Sequence, residues 1–218
     1  MSYLLQFPLR PLPENARSPP FVLFGINGAE IFDSLPTNIS LALVLHFAPK
    51  LRTWLLPAPD LSSASASLAL RTPYIGINIL ADIDVEGLAW ILSRMLQLSG
   101  APVLKEACLT HPSLLTAISI HRAWTALELP ASGIQALHLH MVTKLMLGLA
   151  VCPAEIKAIW NTFPVDSPIT REMGLNFIRS HINYEYTQAE FSSIRHWYLA
   201  SRERTHFFKS LEARFPEF

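Results

Sequence analysis

The sequence predicts an α+β fold that is mostly α-helical, and three observations lead to this prediction. Asn27-Gly28 separates two short apolar runs, which is a strong signal for a β-hairpin. A second strand-like run, 74–79, precedes a segment whose apolar residues are spaced by three and four. From about residue 112 onward, the pattern is helical, with breaks at prolines, at Gly133 and near Asn183. We therefore expect a small sheet flanked by helices, followed by a helical extension.

The first third of the chain predicts an arm, a hairpin and two short helices. Residues 1–20 contain five prolines, so we expect an extended arm without a regular hydrogen-bond ladder. The hairpin follows at 21–32, and residues 36–47 have apolar positions at helical spacing. Pro49 is suited to the first turn of another short helix. Residues 56–67 are the clearest low-complexity loop.

The middle of the chain predicts a strand, an acidic turn and an apolar helix. Asp82 and Asp84 precede the helix, where carboxylates suit the unpaired amides and the macrodipole. Gly100 lies where that helix is expected to stop. We expect Trp90 on the core face together with the apolar stripe of the helix, Leu88, Ile91, Leu92, Met95 and Leu96.

The C-terminal half predicts a helical hairpin and a helical tail. Helices are expected from about 112 to 129 and from 132 to 149, separated by Pro130 and Gly133. The tail, 153–213, has breaks at Pro164, Pro168 and near Asn183. Asp166 or Ser167 is expected to cap the helix that starts at Pro168. Short helices are marginal alone, so we expect the tail to pack on the hairpin as one folded unit.

Composition limits the class of partner. The chain has 218 residues, of which 50% are hydrophobic and only 16% charged, with a formal net charge of +0. This charged fraction is well below that of an ordinary soluble domain, so either the core is large or a partner covers apolar surface. No basic excess favours nucleic acid or an anionic membrane. The N-terminus does not resemble a signal peptide, and the longest apolar windows contain His138, His140 and Lys144. We expect a cytoplasmic or nuclear protein.

The residues give no positive sign of catalysis or of cofactor or metal binding. Cys108 and Cys152 form neither a disulfide framework nor a metal pair, and are expected to be buried free thiols. His138 and His140 are two apart, so on a helix they point to different faces. No HExxH or GxSxG motif occurs. A hydrolase triad assembled in space stays open as an alternative.

Two further motifs each allow two interpretations. Residues 25–28 superficially resemble a phosphate loop, but they lack the third glycine and the Lys-Ser/Thr pair, so the hairpin is favoured. The run 195–198, Arg-His-Trp-Tyr, is able to stack on single-stranded nucleic acid. The favoured alternative is an amphipathic helix with Ile194, Trp197 and Tyr198 facing inward. Nucleic acid is therefore not expected as a partner.

The order of these elements, together with three residue patterns, resembles the BTB/POZ fold. Residues 45–55, LHFAPKLRTWL, are similar to the family's helix–turn–helix around S-P-x-F-R-x-x-L. Residues 77–100 are similar to its strand, acidic turn, helix and glycine, and residues 120–137, IHRAWTALELPASGIQAL, to its helical hairpin. The tail from 155, with IWNTFPVDSPITREMGLNFI, resembles the helical extension of fungal BTB-like proteins. The resemblance divides the chain into a Pro-rich arm, 1–20, a BTB/POZ-like domain, 21–150, and a packed helical extension, 151–218.

The resemblance implies a non-enzymatic adaptor or scaffold that acts by self-association or partner binding. Its common dimer face lies at about 21–55, where the candidates in this sequence are Phe21, Phe24, Leu41, Leu45 and Phe47. The alternative is an obligate subunit of a stable hetero-complex, such as a ubiquitin-ligase adaptor or a chromatin-associated assembly, with the arm 1–20 wrapped around the partner. Neither hypothesis needs a catalytic residue, a cofactor or a metal.

Overall fold

The computed structural model describes residues 4–31, 34–57, 73–101 and 111–215. The chain divides into two compact units, Met1–Ala136 and Leu137–Phe218. Most of the predicted low-complexity loop, and Cys108, lie outside the described residues. Within the described ranges the fold is α+β and mostly helical, as the sequence predicts.

The first unit contains a small sheet and several helices. Its elements are β1 (Phe21–Ile26), β2 (Ala29–Glu30), α1 (Leu41–Phe47), a 3₁₀ helix (Pro49–Trp54), β3 (Tyr74–Ile79), α2 (Val85–Leu98), α3 (Leu114–Ala126) and a second 3₁₀ helix (Ala131–Ile134). Helix α4 (Gln135–Leu147) begins at the end of this unit and continues into the second. The second unit then adds α5 (Pro153–Thr162), α6 (Pro168–Ile182), α7 (Gln188–Leu199) and α8 (Arg202–Glu212).

The sheet has the order β2-β1-β3, with β1 antiparallel to β2 and parallel to β3. Asn27 and Gly28 both have positive φ, 49° and 84°, which confirms the predicted hairpin and leaves no phosphate loop at 25–28. Side chains on β1 alternate, so that Val22, Phe24 and Ile26 are buried while Leu23 is exposed. One face of the sheet therefore packs on the core and the other is open.

Helices α2 and α3 cross closely in the first unit. The Gly87 N–H donates a hydrogen bond of 3.0 Å to Ser119 Oγ, and a Cβ atom on Gly87 would lie 2.3 Å from the Ser119 carbonyl oxygen. The predicted stripe on α2 is buried at Leu88, Ile91, Leu92 and Met95 and half-buried at Leu96. Trp90 is only half-buried, so its predicted place on the core face was wrong. Two residues rotate a helix by about 200°, which places Trp90 nearly opposite Leu88 and away from the centre of the stripe.

The acidic turn before α2 stabilises the fold in a different way from the one predicted. Asp84 is the N-cap residue, but its side chain makes no capping hydrogen bond. Asp82 and Asp84 instead pair with Arg122 on α3, the latter at 3.9 Å. Gly100 has φ 71°, as expected where a helix stops, and the nearby Ser99 carbonyl accepts a hydrogen bond of 2.8 Å from Arg17 Nε.

The beginning of the N-terminal segment belongs to the core of the first unit. Residues 4–20 contain neither helix nor strand, as their prolines predict, yet Leu4, Leu5 and Phe7 are buried. The Phe7 ring centroid lies 4.8 Å from that of Phe47 and 4.9 Å from that of Trp124. The idea of an arm wrapped around a partner is therefore wrong for residues 4–7, because an apolar stretch precedes the first proline.

The second unit is built from the C-terminal part of α4 and the tail. Ser167 Oγ accepts a hydrogen bond of 3.1 Å from the Thr170 amide, with Pro168 next to it, so Ser167 is the cap that the sequence left undecided. Asn176 on α6 donates to the Leu145 carbonyl at 2.8 Å, which ties the tail to α4. The division between the units falls at residue 136, whereas the sequence places it at 150.

Candidate functional site

The structure separates the five predicted interface residues into two groups. Phe24 is only 4% exposed and belongs to the core, because it lies on the buried face of β1. The other four, Phe21, Leu41, Leu45 and Phe47, are half-buried and retain exposed apolar surface. We refer to these four residues as the α1 face.

The start of α1 is fixed by hydrogen bonds that the sequence does not reveal. The buried Ser40 hydroxyl accepts from the Leu43 amide at 3.1 Å and donates to the Ala16 carbonyl at 2.6 Å. The Leu41 amide also donates to the Pro20 carbonyl at 2.8 Å, which sets the helix beside the first residues of β1. This cap is a serine, a residue that N-caps prefer, whereas Ala48, the N-cap residue of the following 3₁₀ helix, makes no side-chain capping hydrogen bond.

Within α1, residues four apart share a face, so Leu41 and Leu45 are neighbours on the helix surface. Leu43 and Val44 are fully buried beneath them. Phe47 is partly occupied by its contact with Phe7. The exposed part of α1 is therefore carried mainly by Leu41 and Leu45, while the Phe21 ring lies 6.1 Å from that of Tyr74 on the sheet.

The open face of the sheet is a second apolar surface, which the sequence reasoning missed. Leu23, Leu56 and Tyr74 keep between two-fifths and half of their surface exposed. A shallow groove here is lined chiefly by Leu23, Leu56, Gly25, Gly76, Asn78 and Glu30. A Cβ atom on Gly76 would lie 2.6 Å from Leu56 Cδ1, so glycine is what lets Leu56 pack this close to β3. The sequence of β1, FVLFGI, contains no polar side chain, so it carries no alternation from which this face was predictable.

Histidines in the second unit pack against aromatic rings. His138 lies edge-on to Phe163 with ring centroids 5.9 Å apart, and burial lowers the pKa of its imidazole. His181 stacks on Phe191 at 3.8 Å, and burial again lowers the pKa. In the part of the chain that the structure describes, no group of three or more His, Cys, Asp or Glu side chains is placed to hold a metal ion.

Two other sequence candidates are also placed by the structure. Cys152 is exposed at the start of α5, so its predicted burial was wrong; it precedes the first turn, where the chain lies at the surface. Ile194 and Tyr198 on α7 are buried, and the Arg204 guanidinium carbon lies 4.4 Å from the centroid of the Trp197 ring. That ring face is thus occupied within the protein, which agrees with the amphipathic helix and not with a base-stacking platform.

Comparison with models of known protein families, with curated proteins and with solved structures gives no match for this chain. Among the helices of the described ranges, none is both long enough and apolar enough to cross a membrane. The candidate site is therefore defined by its own geometry, as an apolar face centred on α1 beside an open apolar sheet surface.

Proposed function

We propose that this chain is a BTB/POZ-like protein–protein interaction module, without catalytic activity, that self-associates or binds a partner through the α1 face. One observation carries the proposal: Leu41 and Leu45 both remain partly exposed at a spacing of four on α1, which begins beside Phe21, in a chain with only 16% charged residues. An apolar helix face in such a chain is typical of a protein interface. The proposal requires no cofactor or metal, and it places the chain in the cytoplasm or nucleus.

The order of elements supports the BTB/POZ-like assignment. A hairpin, α1, a short helix begun by Pro49, the parallel strand β3, then α2, α3 and α4 follow one another as the sequence resemblance implies. In this proposal the helices after α4 are the counterpart of the helical extension of fungal BTB-like proteins. Shared order is the support here, since each element alone is common among α+β domains.

The size of the face determines which residues must contribute. Burying a whole leucine stabilises a complex by about 1.5–3 kcal/mol, and a leucine that is already mostly buried has at most about a third of that left to give. In a two-fold dimer Leu41 and Leu45 each occur twice, so together they contribute at most about 2–4 kcal/mol. A micromolar dimer needs about 8 kcal/mol. The aromatic edges, Phe21 and Phe47, must therefore also lose exposed surface.

The test is the mass of the chain in solution. We expect the wild type to sediment as a dimer at micromolar concentration, and the double variant Leu41→Glu/Leu45→Glu to be a folded monomer. The matched control, Leu147→Glu/Leu149→Glu, places the same charges on exposed leucines at the end of α4 and should stay dimeric. If the wild type is soluble and monomeric at this concentration, the α1 face is not a self-association surface.

The second candidate function is an obligate subunit of a stable hetero-complex, such as a ubiquitin-ligase adaptor or a chromatin-associated assembly. It is favoured by the open sheet face, where Leu23, Leu56 and Tyr74 give apolar surface beyond that of α1. In this case the chain should aggregate when it is produced alone, and it should be soluble when it is produced together with its partner. Affinity purification from the native organism, with mass spectrometry of the bound proteins, distinguishes the two: one stoichiometric partner supports the hetero-complex, and recovery of the chain alone contradicts it.

A further inference from the structure

The segment 8–13, Pro-Leu-Arg-Pro-Leu-Pro, is an exposed stretch of the first unit that we call the proline span. It has neither helix nor strand, and its residues 8–12 are all exposed. Leu9 is 99% exposed, the highest value among large apolar side chains in the described part of the chain. The fold itself makes no use of this leucine.

The proline span is held at both ends. Before it, the Gln6 amide donates to the Gly133 carbonyl at 2.8 Å and Phe7 is buried. After it, Ala16 is buried, and its carbonyl accepts a hydrogen bond of 2.6 Å from the Ser40 hydroxyl. Anchors on both sides restrict the conformations of the residues between them, so that less conformational entropy is lost when a partner binds.

Proline at 8, 11 and 13 favours the polyproline II conformation, which has three residues per turn. With that repeat, Pro8 and Pro11 lie on one edge and Leu9 and Leu12 on the next. Both edges face solvent. Arg10 is the one charged residue of the span, and it is exposed as well.

We propose that the proline span is a docking ligand for a partner domain with an SH3-type groove. Such grooves are lined by aromatic side chains and accept P-x-x-P segments in the polyproline II conformation. The Pro8/Pro11 and Leu9/Leu12 edges supply the apolar contacts, and Arg10 lies on the third edge, which faces away from the groove. The span uses neither Leu41 nor Leu45, so the inference goes beyond the proposed self-association and does not depend on it.

The experiment measures binding of the full chain to a panel of purified SH3 domains, with WW domains as a comparison panel. We expect at least one SH3 domain to bind. Leu12→Glu and Pro11→Ala should each weaken that binding by about tenfold or more, because each removes an apolar contact to the groove. Leu149→Ala, which removes a 91% exposed leucine elsewhere, should stay within about twofold of the wild type.

The proposal is overturned if no SH3 domain binds, if only WW domains bind, or if binding is unchanged by both variants. Thermal melting verifies that each variant is folded, and Leu9→Glu is the substitute if Pro11→Ala is not, since Leu9 makes no buried contact. The Leu41→Glu/Leu45→Glu variant should bind the same SH3 domain as the wild type. Failure of self-association and failure of docking are therefore separate results.

Discussion

Asn176 on α6 gives the sharpest prediction of stability in the second unit. Its side chain is 3% exposed and makes three hydrogen bonds to backbone groups around the end of α4. Its amide donates to the carbonyls of Leu145 at 2.8 Å and Leu149 at 3.2 Å, and its carbonyl accepts from the Val151 amide at 3.0 Å. The substitution Asn176→Leu keeps the branched shape of the side chain, although its methyl groups are larger than the amide O and NH2, and it removes all three bonds.

The cost follows from the groups left without a partner. Each buried backbone group that loses its hydrogen bond costs about 1–3 kcal/mol. The Leu145 carbonyl retains a second donor, Arg179, at 3.4 Å, so its loss is smaller. The main cost is therefore at the Val151 amide, and we expect Asn176→Leu to lower the free energy of unfolding by about 2–4 kcal/mol.

The assay is native-state hydrogen exchange in increasing urea, read by mass spectrometry over peptides of α6. This method follows the second unit by itself, which a single unfolding curve of a two-unit chain does not. The control is Asn161→Leu, on the exposed side of α5, which should change protection by less than about 0.5 kcal/mol. If Asn176→Leu behaves like the control, the three hydrogen bonds do not support the fold and the reasoning is refuted.

Three further predictions concern other parts of the chain. Gly87→Ala should destabilise the first unit by about 1–2 kcal/mol in the same exchange assay, because the clash with Ser119 outweighs the gain in helix propensity. A more stable variant would mean that α2 and α3 separate easily. Asn176→Asp should be less stable at pH 7 than at pH 4, since the protonated acid is able to donate to one of the two carbonyls, whereas the carboxylate is able to donate to neither; equal stability at both pH values would contradict this. Burial, with the hydrogen bond to Glu212, raises the pKa of Tyr198 to about 12. Because the folded-state pKa lies above the unfolded value of about 10, this contribution to stability is complete below pH 10 and is lost as the pH rises toward 12. The Tyr198→Phe variant should show a weaker alkaline loss in urea titrations, and an identical loss would assign it to other groups.

The sequence by itself determined the features that depend on neighbouring residues. Asn27-Gly28 predicts the hairpin because its two residues tolerate the positive φ that the turn requires. Ser167-Pro168 predicts the start of α6, because the cap and the first turn lie within four residues of each other. Gly100 predicts the end of α2, because glycine readily adopts the positive φ at which helices commonly end. Such signals are local, so no knowledge of the folded chain is needed to read them.

The tertiary structure alone decided which apolar and polar residues are buried and which partners they have. Phe24 and Leu41 are both apolar and belong to regular elements, yet only Phe24 lies in the core. Phe7 is buried against Trp124, more than a hundred positions away. Asp82 pairs with Arg122 across 40 positions instead of capping α2. Burial and pairing depend on contacts between segments that are distant in the sequence. The periodicity of apolar residues within one segment determines only which side of a helix or strand is apolar, and not which other segment covers that side.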